Sequence, residues 1–162
     1  MKKAVVFYSM SGNTEYVAKM VAEKIDADLI EIRPEKTYPD KGLKKFLWGG
    51  KSAVMGEKPK LEPYDFNSLK YDLIVFGTPI WASNITPPIM SFVDENKESI
   101  QEKRIAVFVC YSGGGAEKAI EKFKKELQIT EFEAKLILID PKDKQKPDNL
   151  NKIEEFCNEL KI

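Results

Sequence analysis

Histidine is absent from these 162 residues, which removes an imidazole general base, a Ser-His relay and a histidine-ligated metal. Cysteine is scarce: Cys110 and Cys157 stand far apart, form no C-x-x-C pair and belong to no cluster with metal-ligand spacing. Net charge is missing as well, with 26 basic against 26 acidic side chains, so the total implies neither a nucleic-acid footprint nor a strong acidic field. Neither nucleotide fingerprint occurs, since the chain has no G-x-x-x-x-G-K-[ST] and no three-glycine dinucleotide turn. Long apolar runs are lacking too. The start Met1-Lys2-Lys3 leads through Ala4-Val5-Val6-Phe7-Tyr8 into a Ser-rich turn, too short and too polar afterward for a secretory leader or a membrane span. These absences predict a cytoplasmic protein with no nucleic-acid and no membrane partner.

What the chain has is apolar side chains, 43% of the total, in a length that buries a sizeable core as one domain over residues 1–162. They fall into two alternating patterns. Runs rich in β-formers at 4–8, 73–77, 105–110 and 136–139 read as strands, those at 73–77 and 105–110 apolar throughout, as in a parallel strand covered on both faces. Residues 28–33 alternate polar and apolar before Pro34, which suits an outer strand. Between the strands, helical spacing recurs at Val17, Ala18, Val21, Ala22 and Ile25; at Ile89, Phe92 and Val93 after Thr86-Pro87-Pro88, with Thr86 as the cap; and at Ala119, Ile120, Phe123 and Leu127. A last helix carries Leu150, Ile153, Phe156, Cys157 and Leu160 inward. The least regular stretch, 35–71, holds a helix from 42 to about 55 with Leu43, Phe46, Leu47 and Ala53 inward, interrupted at Gly49-Gly50. Phe46 and Trp48 read there as packing or as aromatic surface near the mouth of a site. Strand and helix in alternation predict an α/β fold: three layers, a doubly wound parallel sheet of five strands in the order 2-1-3-4-5.

That order makes the first, third and fourth strands neighbours, and the loops after those three are chemically unusual. After the first comes Ser9-Met10-Ser11-Gly12-Asn13-Thr14, where Gly12 permits a tight turn and three hydroxyls and an amide gather at a helix start whose N–H groups have no partner of their own. Such a turn suits a phosphate. A plain N-cap remains the alternative, because Ser, Asn and Thr cap helices anyway. After the third comes a loop from Thr78 to Thr86 with Trp81 in it, and after the fourth Tyr111-Ser112-Gly113-Gly114-Gly115, a glycine run that costs order unless backbone must approach something closely. A phosphate-bearing ligand with a flat ring fits the three together.

On these residues the chain resembles the flavodoxin-like proteins over nearly all of its length. Ser9-x-Ser11-Gly12-Asn13-Thr14 is similar to that family's [ST]-x-[ST]-G-x-T loop for the phosphate of FMN. The resemblance implies that Met10 lies in the same cofactor-binding loop. It also implies that Pro79, Ile80, Trp81, Ala82 and Asn84 run along the isoalloxazine, and that Cys110 through Gly115 approach its pyrimidine side. The fifth strand is uninterrupted, as in the short-chain branch. Three departures stand out: alanine follows Trp81 where carriers of the family often have glycine, no aromatic follows the glycine run, and the chain is neutral where such carriers are acidic.

With no histidine, no dithiol and no metal cluster, redox chemistry falls to the flavin, and no residue is expected to be catalytic or to bind metal. Three functions fit. The first is an FMN protein carrying electrons between cytoplasmic redox partner proteins, the electron-transfer reading being preferred to an enzyme. The second is an FMN-dependent reductase that takes hydride from NAD(P)H and serves a quinone or similar acceptor. The third is a non-redox module holding another phosphate ligand.

Overall fold

A computed structural model describes residues 1–39 and 42–161, with residues 42–47 described by their backbone alone. The chain enters through β1 (Lys3–Phe7) and α1 (Asn13–Ile25), then β2 (Asp28–Glu31) and α2 (Gly42–Val54). A short 3-10 turn at Ser68–Lys70 precedes β3 (Leu73–Trp81), β4 (Asn84–Ile85) and α3 (Pro87–Ile100). Then follow β5 (Arg104–Tyr111), α4 (Ala116–Leu127), β6 (Lys135–Ile139) and α5 (Pro147–Glu159).

The main sheet is parallel, in the order β2-β1-β3-β5-β6, which is the expected 2-1-3-4-5 once the extra β4 is set aside. Successive residues of each central strand point to opposite faces. Val5, Phe7, Leu73, Val75, Ala106 and Phe108 therefore face one core, closed by Val17, Ala18 and Val21 of α1 and Ile153 and Phe156 of α5. Ala4, Val6, Ile74, Phe76, Ile105 and Val107 face the other, closed by Ile89 and Phe92 of α3 and Ile120 and Phe123 of α4. The apolar runs at 73–77 and 105–110 have this cause: both of their faces are dry. Among the described residues no helix is long and apolar enough to cross a membrane.

Several local expectations change. β3 continues past Gly77 to Trp81 and folds back through β4 in an antiparallel pair, Ile80 opposite Ile85 and Trp81 opposite Asn84. The expected loop there is a tight hairpin, and the sheet gains a sixth strand. The Gly49-Gly50 pair does not interrupt α2. Glycine at 49 lets the helix lie against the Trp81 ring, where a Cβ would stand 3.2 Å from the indole carbons. The expected inward positions Leu43, Phe46 and Leu47 lie outside the described side chains. Thr86 precedes α3 but makes no cap bond; its hydroxyl sits 2.9 Å from that of Thr78, both buried, and ties the hairpin's return to β3. Leu150 is 54% exposed rather than inward, and in the first turn of α5 its neighbour Asn149, 8% exposed, is buried instead.

Candidate functional site

Strand order reverses between β1 and β3, where the chain leaves β1 toward β2 on one side and β3 toward β5 on the other. The loops leaving the carboxyl ends of these strands cannot close over one another, so a crevice opens. Here it is a cavity of about 320 Å³.

The first loop supplies Met10, Ser11, Asn13 and Thr14 to its wall. Gly12 is the residue before α1 and takes φ +90°, a left-handed conformation that glycine adopts without strain. No side chain caps this helix; the Ser9 hydroxyl instead accepts the Gly12 N–H at 3.2 Å. The plain N-cap alternative is thereby not what forms, and among the described residues the N–H groups of the first turn are left without a partner. Thr14 is fully buried and its Oγ1 has no hydrogen-bond partner. The Cys110 thiol lies close enough to feel that hydroxyl, but the two make no hydrogen bond of acceptable geometry. Ser9 and Gly12 do not line the cavity, and the side chain of Asn13 turns partly away from it: its Nδ2 donates to Asp143 Oδ2 at 2.7 Å and its Oδ1 accepts the Lys142 N–H at 2.8 Å.

The hairpin supplies Pro79, Ile80, Trp81 and Ala82. Ala82 and Ser83 form its two-residue tip, both left-handed at φ +48° and +58°, as a hairpin matching the twist of its strands requires. Trp81 is partly exposed and is held edge-on by Tyr8, centroids 5.8 Å apart, and by Tyr38 at 5.0 Å. Burial pushes the Tyr8 hydroxyl well above its ordinary pKa, with Tyr38 adding to the shift, and burial also raises that of Tyr38, so both stay neutral. Asn84 does not line the cavity: its Nδ2 donates to Ala82 O at 2.7 Å and its Oδ1 accepts Lys122 Nζ at 2.6 Å. Its amide therefore serves the hairpin.

The third loop supplies Cys110, Tyr111, Ser112, Gly113 and Gly114. A Cβ on Gly113 or Gly114 would meet nothing within 4 Å, so these two leave backbone open to whatever fills the cavity. Gly115 lies behind them at φ +86°, packed on Ser83. Burial raises the Cys110 thiol to about 12, with the Thr14 hydroxyl opposing slightly, which makes it an inert wall.

Sequence reasoning missed Gly50, Ser83 and Asp140, which complete the wall. Asp140 is 7% exposed, accepts the Ser112 hydroxyl at 2.5 Å and pairs with Lys144 at 2.8 Å. An acid directly after an apolar strand is a signal that could have found it, since ligands of such sheets bind at carboxyl ends. Gly50 and Ser83 carry no comparable signal.

Comparison with known proteins adds a family and a fold. The family model described as Flavodoxin matches residues 2–152. Among solved structures, a flavoprotein in complex with FMN from Lactobacillus acidophilus is 21% identical, with 96% of this chain and 97% of that one covered and a TM-score of 0.71. Oxidised flavodoxin 1 from Bacillus cereus is 20% identical over 99% of this chain and 97% of that one, TM-score 0.60. Two-electron reduced flavodoxin from Megasphaera elsdenii is 15% identical over 98% of each chain, TM-score 0.61. At these identities the structures bear on the fold.

Proposed function

The chain belongs to the flavodoxin family, and from that premise we propose that it is an FMN-binding flavoprotein carrying electrons between redox partner proteins of the cytoplasm. The observation that carries the reading is the buried, unpartnered Thr14 hydroxyl beside an uncapped helix start, at one end of a cavity with Trp81 on its wall. A buried hydroxyl left unpaired costs about 1–3 kcal/mol. A phosphate at that end would accept from Thr14, from the hydroxyl of Ser11 and from the open N–H groups of α1.

When bound, FMN supplies the electron chemistry. The protein's part is to hold and tune it. Trp81 offers an apolar aromatic wall, which disfavours added negative charge nearby, whereas backbone N–H groups along Ser112–Gly113–Gly114 favour it. Neutral Tyr8 and the neutral Cys110 thiol add no charge of their own, and the acid of the wall, Asp140, is paired with Lys144.

Four measurements test the proposal. Protein purified without added flavin should be yellow, and its heat-released extract should contain FMN. Chemically reduced protein should pass electrons to cytochrome c, while NADPH with a quinone should give no sustained turnover. Steady NADPH oxidation would replace the carrier by the reductase, and a colourless protein that refuses FMN would overturn both.

A further inference from the structure

The sheet ends at β6, and among the described residues no strand pairs with its outer side. Bonds to β5 come from the even-numbered residues here: Ala134 O accepts the Val107 N–H and the Asp140 N–H donates to Tyr111 O, both at 3.1 Å. In a parallel strand the N–H and C=O groups of successive residues point to opposite sides, so those of Lys135, Ile137 and Ile139 face the open edge. Their side chains share the α4 face, where Ile137 is half-buried and Ile139 is 37% exposed. Such an edge is a template for another strand unless charge or proline guards it. β2, at the other end of the sheet, is guarded: Asp28 and Glu31 close its four residues, Glu31 pairs with Arg33 at 2.6 Å, and Pro34 follows. In β6 the single charged residue is Lys135, and the other four are apolar.

We propose that this edge binds the same edge of a second copy of the chain, antiparallel about a two-fold axis normal to the sheet through Ile137. This register uses all three outward-facing residues: Ile137 lies opposite the partner's Ile137 and Lys135 opposite the partner's Ile139, each pair exchanging two backbone bonds. A groove of about 380 Å³ runs along the edge between Glu117 of α4 and Lys152, Glu155 and Glu159 of α5. Both helices start beyond the carboxyl end of a strand and return along the sheet. Glu117 and Lys152 therefore lie toward the carboxyl end of β6, and Lys135 and Glu159 toward its amino end. The two-fold axis brings opposite ends together, so that Lys135 approaches the partner's Glu117 on one face and Lys152 approaches the partner's Glu159 on the other. Lys152 also pairs with Asp148 at 3.0 Å, an exposed contact of little energy that it can share. Glu155 lies between Lys152 and Glu159, nearest its own copy, and its like charge weakens the contact.

The test is sedimentation of the full chain from about 1 μM to about 1 mM, joined to amide exchange by NMR at both ends of that range. The wild type should pass from monomer to dimer, and the amides of Lys135, Ile137 and Ile139 should gain protection as it does while those of β2 stay unchanged. Ile139→Lys sets a lysine opposite the partner's Lys135, and Lys135→Glu loses the partner's Glu117; each should weaken the dimer about tenfold. Lys135→Glu/Ile139→Lys places opposite charges face to face and should recover most of the loss. Glu155→Gln should tighten the dimer, and Leu29→Lys, at the exposed β2 edge, should leave it unchanged. These are substitutions of exposed side chains, so each variant should melt within about 2 °C of wild type, which separates lost association from lost folding. A chain that stays monomeric to about 1 mM, a dimer that Ile139→Lys leaves intact, or a dimer whose Lys135, Ile137 and Ile139 amides stay unprotected would overturn the proposal. Each of those outcomes leaves the FMN reading untouched.

Discussion

Gly115 and Ser83 are in such close contact that a methyl on the glycine would stand 2.6 Å from the serine Cβ and closer still to its hydroxyl. This contact joins the hairpin tip to the start of α4, and so joins two of the three loops around the cavity. Gly115→Ala must both displace that tip and hold alanine at φ +86°. We expect a loss of about 2–4 kcal/mol, read as a fall in melting temperature, with weaker FMN binding as the hairpin shifts. Gly114→Ala meets open space and should melt within about 2 °C of wild type. Equal effects at the two positions would show that the glycine run has no such division of labour.

Thr14→Val separates stability from binding. The hydroxyl has no partner in the apoprotein, so replacing it by a methyl of similar shape should leave the melting temperature unchanged or raise it. FMN affinity should fall roughly ten- to a hundredfold and riboflavin affinity scarcely at all. Parallel losses for the two flavins in calorimetric titration would show that this loop does not hold the phosphate.

Trp81 belongs to both core and cavity. Its contacts with Tyr8, Tyr38 and Gly49 predict that Trp81→Ala destabilises the apoprotein by about 1–3 kcal/mol as well as weakening FMN binding. In a Trp48→Phe background, added FMN should quench the remaining tryptophan fluorescence. An unquenched signal would place the indole away from the flavin.

Ala82 is already left-handed, at φ +48°, so the cost of that conformation is stored in the folded protein. Ala82→Gly should release about 1 kcal/mol and raise the melting temperature by about 2–4 °C. A drop on differential scanning calorimetry would mean that the alanine methyl packs more usefully than its backbone strains.

Stability should fall on the alkaline side. Burial raises the thiol of Cys110 to about 12 and that of Cys157 to about 11, from ordinary values near 9. Below the unfolded thiol pKa both states hold the proton and nothing changes; above it the unfolded chain releases a proton the folded one keeps, so stability declines as pH rises toward the folded value. Each thiol contributes at most about 1.4 kcal/mol per pH unit. Denaturant melts between pH 8 and 11 should show the decline beginning near pH 9, and Cys110→Ala should flatten it.

The sequence by itself determined the class of fold and the place of the crevice. Runs of β-formers, helical spacing of apolar residues and three odd loops are local patterns, and a parallel sheet converts them into one crevice through the position of its strands. The β1–α1 loop was legible as a candidate site because hydroxyls and a glycine lie within six consecutive residues, Ser9 to Thr14. Tertiary structure decided what each residue does there. Asn13 lies in that loop, yet its amide is taken by a turn 129 residues away, and Asn84, placed beside the ring by resemblance, holds Ala82 and Lys122 instead. Asp140 comes to the cavity from the far end of the chain, Gly49 is a glycine because Trp81 lies against it, and Leu150 faces outward although its spacing fits the inner stripe. Periodicity records which face of an element is apolar, whereas a hydrogen-bond partner or a close approach depends on where distant elements pack, and no local pattern encodes that.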